Sequence, residues 1–147
     1  MNVQASTVID APRARLWAML VDWEGQASWV VDVPEVRVIG DLRAGAGVRL
    51  AAPTRVFGVR LFTDLLEVTE WEPPSRLGVE HRRFVRGGGI WELAPEGDRT
   101  RFTWVEEVGL PIPLLGELAL AVYRPLLRRM MSRSLERFRR LAESVGP

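Results

Sequence analysis

Ser6-Thr7-Val8-Ile9-Asp10-Ala11-Pro12-Arg13-Ala14-Arg15-Leu16-Trp17-Ala18-Met19-Leu20-Val21-Asp22 reads as a strand that runs directly into an amphipathic helix. Pro12 stands at the first helical position, where its missing N–H is not needed, and Asp10 lies beside the positive helix start. Leu16, Trp17 and Leu20 follow at helical spacing and give that helix one apolar face. Alone, this is only a strand–helix junction. It becomes decisive because a run of strands and one long C-terminal helix follow it, an order that narrows the fold sharply.

The 147 residues are expected to form a single domain, 1–147, large enough for a real core. No apolar run approaches the roughly 18 residues needed to span a bilayer. The N-terminus also lacks the basic and apolar regions of a signal peptide, so a cytoplasmic location is expected.

The missing residue types exclude whole classes of chemistry. Without Cys there is no thiol nucleophile, thiolate metal site or disulfide. All basic side chains are Arg, so Schiff-base and lysine-bound pyridoxal mechanisms are excluded. His81 is the single histidine, which argues against a multi-histidine metal centre; neither a metal nor a cofactor is expected. No G-x-S-x-G elbow, Walker loop or G-x-G-x-x-G fingerprint occurs. Gly87-Gly88-Gly89 matches none of these and reads as a flexible strand end or bulge. Carboxylates nearly balance the arginines, so the overall field gives no nucleic-acid signal and DNA is not an expected partner.

Beyond the first helix, Trp23 to Val30 looks like a second short helix. Strands follow at Val36–Gly40, Gly47–Ala52, Phe57–Trp71, Leu77–Phe84, Ile90–Ala94 and Arg101–Val108, punctuated by turn sequences such as Glu72-Pro73-Pro74-Ser75. Their spacing requires antiparallel hairpins. Across the Glu96-Gly97-Asp98 turn an even register pairs Leu93 with Phe102 and Trp91 with Trp104, all on one face. The same alternation turns Leu77, Val79, His81 and Arg83 inward, together with Phe62, Asp64, Leu66, Val68 and Glu106. Leu65-Leu66 is a place where a bulge would invert this assignment. From Leu114 the pattern is helical, with Leu118, Val122, Leu126, Met130, Leu135, Phe138 and Leu141 as the expected core stripe. Arg129, Arg133, Arg137 and Arg140 form the opposite, solvated face, and Pro125 kinks the helix or begins its main segment.

Order and motif together resemble the START-related superfamily, the helix-grip fold of polyketide cyclase/dehydrase-like and birch-pollen-allergen-like proteins. The residues that carry the resemblance are Ile9-Asp10-Ala11-Pro12, Leu16-Trp17, Asp22, Trp29, Val68-Thr69-Glu70-Trp71-Glu72-Pro73-Pro74 with Leu77, and Gly97 through Thr100. It implies an α+β fold: a curved antiparallel sheet of about six to seven strands wrapped around a long C-terminal helix, with two short helices after strand 1. It also implies an apolar cavity between sheet and helix that takes sterols, lipids, polyketides or other metabolites, with chemistry in only some members.

The inward faces then supply the candidate ligand-binding residues: Phe62, Asp64, Leu66, Val79, Trp91, Phe102, Trp104, Val122, Leu126 and Met130. Asp64 and Arg83 fall opposite each other and read as an ion pair. For a cyclase or aromatase, Arg83 would hold an enolate oxygen while His81 or Glu106 shuttles the proton. The expected function is binding of a small hydrophobic ligand, and whether the domain turns it over stays open. The alternatives are a lipid carrier at a membrane surface, through the apolar Leu110–Leu115 loop and the arginine face, and a protein- or RNA-binding module. The Gly109–Gly116 connection itself is read as lining the pocket mouth. Monomer and homodimer both remain open.

Overall fold

Strand β1 (Asn2–Ile9) passes through Asp10-Ala11 into helix α1 (Arg13–Leu20), which buries Leu16, Trp17 and Leu20. The computed structural model describes residues 1–56, 58–83, 85–109 and 115–144, with the side chain of Val56 left out. Pro12 is the N-cap of α1 rather than its first turn, and its carbonyl accepts from the N–H groups of Arg15 and Leu16. Two distant segments pin this junction. The Thr100 hydroxyl donates to the Ala11 carbonyl at 2.7 Å, and the Asp10 N–H donates to the Glu143 carboxylate at 2.9 Å.

A short 3₁₀ turn (Glu24–Ser28) follows, then β2 (Arg37–Ile39), β3 (Arg49–Val56), β4 (Val59–Glu72), β5 (Arg76–His81), β6 (Arg86–Glu96), β7 (Arg99–Gly109) and helix α2 (Leu115–Ser144). The seven strands form one antiparallel sheet in the order β1-β7-β6-β5-β4-β3-β2, curved around α2. This is the helix-grip architecture. The register Trp91↔Trp104 and Leu93↔Phe102 is the one the alternation requires. Irregularities fall at Thr54/Arg55 and Val68/Glu70, not at Leu65-Leu66. The second of these lets Trp71 pair with Leu77, and Trp71 packs against Trp17 at 5.3 Å and Trp23 at 6.2 Å between ring centroids.

Two readings of the sequence need correction here. Gly87-Gly88-Gly89 is no bulge: the β6–β7 register runs unbroken from Arg86↔Gly109 through Gly89↔Glu106. Side chains are excluded there by close neighbours; a Cβ on Gly88 would lie 2.4 Å from the Val79 carbonyl oxygen, for example. The stripe of α2 is also displaced. Its buried residues are Gly116, Leu120, Leu127, Met131, Ser134, Leu135, Phe138 and Ala142, whereas Leu118, Val122 and Leu141 are exposed and Leu126 is half-buried. At 3.6 residues per turn, Leu118 lies about 160° from Leu120, and Val122 about 140° from Leu127. Leucines therefore occur on both sides of the helix, and hydrophobicity alone could not choose between them. α2 runs continuously through Pro125. The apolar connection at 110–114, with Phe57 and Phe84, lies outside the described residues.

Along its length α2 does two different things. Phe138 meets Trp29 at 4.8 Å and Phe102 at 5.0 Å in edge-to-face contacts, and Met131 and Leu135 are buried with it, so the C-terminal half plugs the grip. Nearer the N-terminus, Tyr123, Leu127 and Met130 face an opening. Phe138→Ala is expected to cost about 3–5 kcal/mol in urea unfolding, and Val122→Ala less than about 0.5 kcal/mol. Equal costs would contradict this orientation of α2.

Candidate functional site

The opening between α2 and the sheet is a cavity of about 180 Å³. Phe62, Leu66, Val79, Trp91, Trp104 and Met130 border it, as do Asp64, His81 and Glu106. Phe102 and Val122 do not: Phe102 is fully buried in the aromatic plug, and Val122 is on the outer side of α2. Leu126 is half-buried without bordering the space. Residues overlooked in the sequence also line it, among them Gln26, Leu50, Tyr123 and Leu127. Tyr123 was legible in principle, because it precedes Leu127 by four residues and Met130 by seven and so shares their side of the helix.

Three charged side chains converge on one part of the wall. His81 Nδ1 lies 2.6 Å from Asp64 Oδ2, and its Nε2 lies 2.7 Å from Glu106 Oε1. Glu106 Oε2 accepts from the Trp104 indole N–H at 2.8 Å. Asp64 and Glu106 are each 8% exposed. Arg83 is not part of this group. Strand β5 ends at His81, Arg83 is exposed in the bend beyond it, and Asp64 pairs with His81 instead of the guanidinium.

The sheet explains how His81 on β5 reaches Glu106 on β7 although β6 lies between them. The residue of β6 in register with both Val79 and Glu106 is Gly89. A Cβ there would stand 2.5 Å from Glu106 Oε2, so only glycine leaves room for the carboxylate to cross. The glycine is a passage for a charge–charge contact.

An imidazole whose two nitrogens both face carboxylates must carry both protons in order to donate twice. Burial alone would push His81 down, but the hydrogen bonds to Asp64 and Glu106, with their negative charges, more than offset it and hold His81 up at about 10. The Tyr123 phenol is pushed up as well, first by burial and then by the charges of Asp32 and Glu106. The carboxylates sit on opposite edges of the imidazole, and among the described residues no group of His, Asp or Glu is arranged to hold a metal ion.

The family described as "Polyketide cyclase / dehydrase and lipid transport" matches residues 1–143. The chain belongs to that family. Its structure resembles that of a Thermus thermophilus protein at a TM-score of 0.84, with 23% identity over 100% of both chains. The ZhuI aromatase/cyclase of Streptomyces sp. R1128 superposes at a TM-score of 0.74, with 16% identity over 100% of this chain and 99% of that one. The di-domain aromatase/cyclase StfQ of steffimycin biosynthesis gives 0.78 at 12% identity, with 97% of this chain matching 50% of StfQ. No curated protein matches in sequence. At these identities the superpositions establish the shared helix-grip fold. No helix among the described residues is long and apolar enough to cross a membrane.

The His81 arrangement has a consequence for stability. A folded-state value of about 10, above the ordinary 6.5, means that the folded protein holds this proton more tightly than the unfolded chain. The stabilisation is complete below about pH 6.5 and drains away as pH rises towards 10. The chain has no Lys or Cys, so His81 dominates side-chain titration in that window, with the Tyr123 phenol above it. Urea unfolding of the wild type should lose on the order of 3 kcal/mol between about pH 6.5 and 9.5. His81→Gln should be less stable at the acidic end and nearly flat across the interval; a wild type that is equally flat would refute the buried imidazolium.

Proposed function

We propose that the domain binds a compact hydrophobic molecule inside the grip. The observation that carries this reading is a largely apolar cavity of about 180 Å³, with Trp91 and Trp104 in its wall and one buried charged cluster at one side. An engineered apolar cavity of about 150 Å³ admits benzene, whereas drug-sized ligands occupy about 300–1,000 Å³. The space therefore suits one or two fused rings or a short branched chain. Such a molecule gains burial against aromatic walls without displacing a charge.

Family membership supports this reading, and the two aromatase/cyclases that share the fold make a polyketide-like substrate a natural candidate class. Binding is better supported than turnover. Both nitrogens of His81 and both oxygens of Glu106 already have partners, and Arg83 stands outside the cavity, so the acid–base roles drawn from the sequence lack a free group there. Naphthalene titrated against tryptophan fluorescence should give saturable quenching, abolished in Leu66→Trp, where the larger ring fills the space. A wild type that shows no saturable response would overturn the proposal.

A second reading, a carrier that loads at an anionic membrane, is favoured by the outer side of α2. Leu115, Leu118 and Val122 are exposed there, and the same side continues into the exposed Arg129, Arg133 and Arg137, which have no ion pair among the described residues. Apolar side chains at one end with arginines beyond them suit insertion beside phosphate headgroups. The protein should float with phosphatidylglycerol vesicles and not with phosphatidylcholine vesicles, and Val122→Glu should reduce that flotation several-fold. Equal behaviour with both vesicles would count against it.

A further inference from the structure

The cavity wall carries a charge that the wall itself does not balance. Asp64, His81 and Glu106 are the charged side chains among the described residues that border it, and none of the chain's arginines joins them. The two hydrogen bonds of His81, at 2.6 and 2.7 Å, need two protons among one imidazole and two carboxyl groups. Whichever atoms hold those protons, the three groups together sum to one negative charge. The Trp104 N–H that also reaches Glu106 is neutral and leaves this sum unchanged. Arg83 is exposed to water in the bend beyond β5 and has no ion pair among the described residues. The charge is also felt across the cavity, because Glu106 helps to hold up the Tyr123 phenol on α2, after burial and Asp32. Buried charge is normally matched by a counter-charge, and here the lining supplies none.

We infer that the cavity is built for a compact organic cation, an amine or quaternary ammonium group carried on an apolar body. The inference rests on the reading of the cavity as a ligand site and specifies the class of ligand. An anion would meet like charge in a space of low dielectric, and a neutral molecule would leave the wall's charge unmatched. A cation cancels it through space, with no bond to a particular carboxylate oxygen. The rest of the lining suits the same occupant. Phe62, Trp91, Trp104 and Tyr123 put four aromatic rings in the wall, with Trp91 and Trp104 5.7 Å apart between centroids. The face of an aromatic ring attracts a cation, and an alkylated ammonium, being weakly hydrated, loses little on leaving water. A metal ion is a poorer fit, since no described group of His, Asp and Glu is arranged to hold one.

Three probes with one phenyl ring and a tetrahedral head of similar size separate the charges: phenyltrimethylammonium, tert-butylbenzene and benzenesulfonate. Each is titrated calorimetrically against the whole chain at neutral pH. Phenyltrimethylammonium should bind at least about tenfold more tightly than tert-butylbenzene, equivalent to about 1.4 kcal/mol, and benzenesulfonate more weakly than either. Glu106→Gln leaves the cluster neutral, and should bring the cation and its neutral isostere to within about threefold of each other. Should that variant fail to fold, the wild type in concentrated salt supplies an independent readout. A charge buried in the cavity is screened little, so the tenfold preference should persist there, whereas binding to exposed carboxylates would fade. A smaller preference in the wild type, its loss in salt, or its survival in Glu106→Gln overturns the inference and leaves the ligand cavity standing. Failure of all three probes to bind overturns both.

Discussion

The packing of Phe138 between Trp29 and Phe102 is the contact on which the grip closes. It joins three separated parts of the chain: the segment after the 3₁₀ turn, strand β7 and the C-terminal helix. Trp91 and Trp104 extend the cluster across the sheet, at 5.2 Å and 6.4 Å from Trp29. This edge-to-face packing buries Phe138 together with Met131 and Leu135 in the C-terminal half of α2. The same cluster sets the floor of the cavity, because the indoles of Trp91 and Trp104 face the plug on one side and the opening on the other. A filled half and an open half are thus consequences of one helix lying across one curved sheet.

Charge enters that open half in an unusual form. Two carboxylates and one imidazolium, contributed by β4, β5 and β7, are buried together, leaving the cluster one negative charge when both carboxylates are ionised. Burying charges this deeply is justified only when each has a partner, and here the pairing is nearly complete. Among the described residues it is incomplete at one oxygen of Asp64. The cluster also depends on an absence, since Gly89 must lack a side chain for Glu106 to reach across β6. Backbone economy on one strand therefore makes an ionic contact between two others.

The family relationship explains the scaffold and says little about this cluster. Structures with 12–23% identity superpose over nearly the whole chain, which is what a fold sustained by alternation, turn chemistry and one capped junction allows. Side chains on the inner face can change within that framework while the register survives. Asp64, His81, Glu106 and Tyr123 are among the polar residues that border the cavity from that framework.

Much of this was legible in the chain itself. Strand alternation around the Glu96-Gly97-Asp98 turn specified which of Leu93, Phe102, Trp91 and Trp104 share a face, because a period of two leaves no other apolar interior. The junction from Ile9 to Asp22 and the long final helix specified the architecture. What the sequence could not decide was where elements stop and how α2 is rotated. Asp64 pairs with His81 rather than Arg83 because β5 ends at His81, a boundary set by the sheet and not by local pattern. α2 buries Leu120 and Leu127 rather than Leu118 and Val122 because the sheet chooses among leucines on both sides of it. The passage at Gly89 exists only when three strands lie side by side. Local periodicity determines faces, whereas the meeting of side chains from β4, β5 and β7 is a property of the assembled sheet.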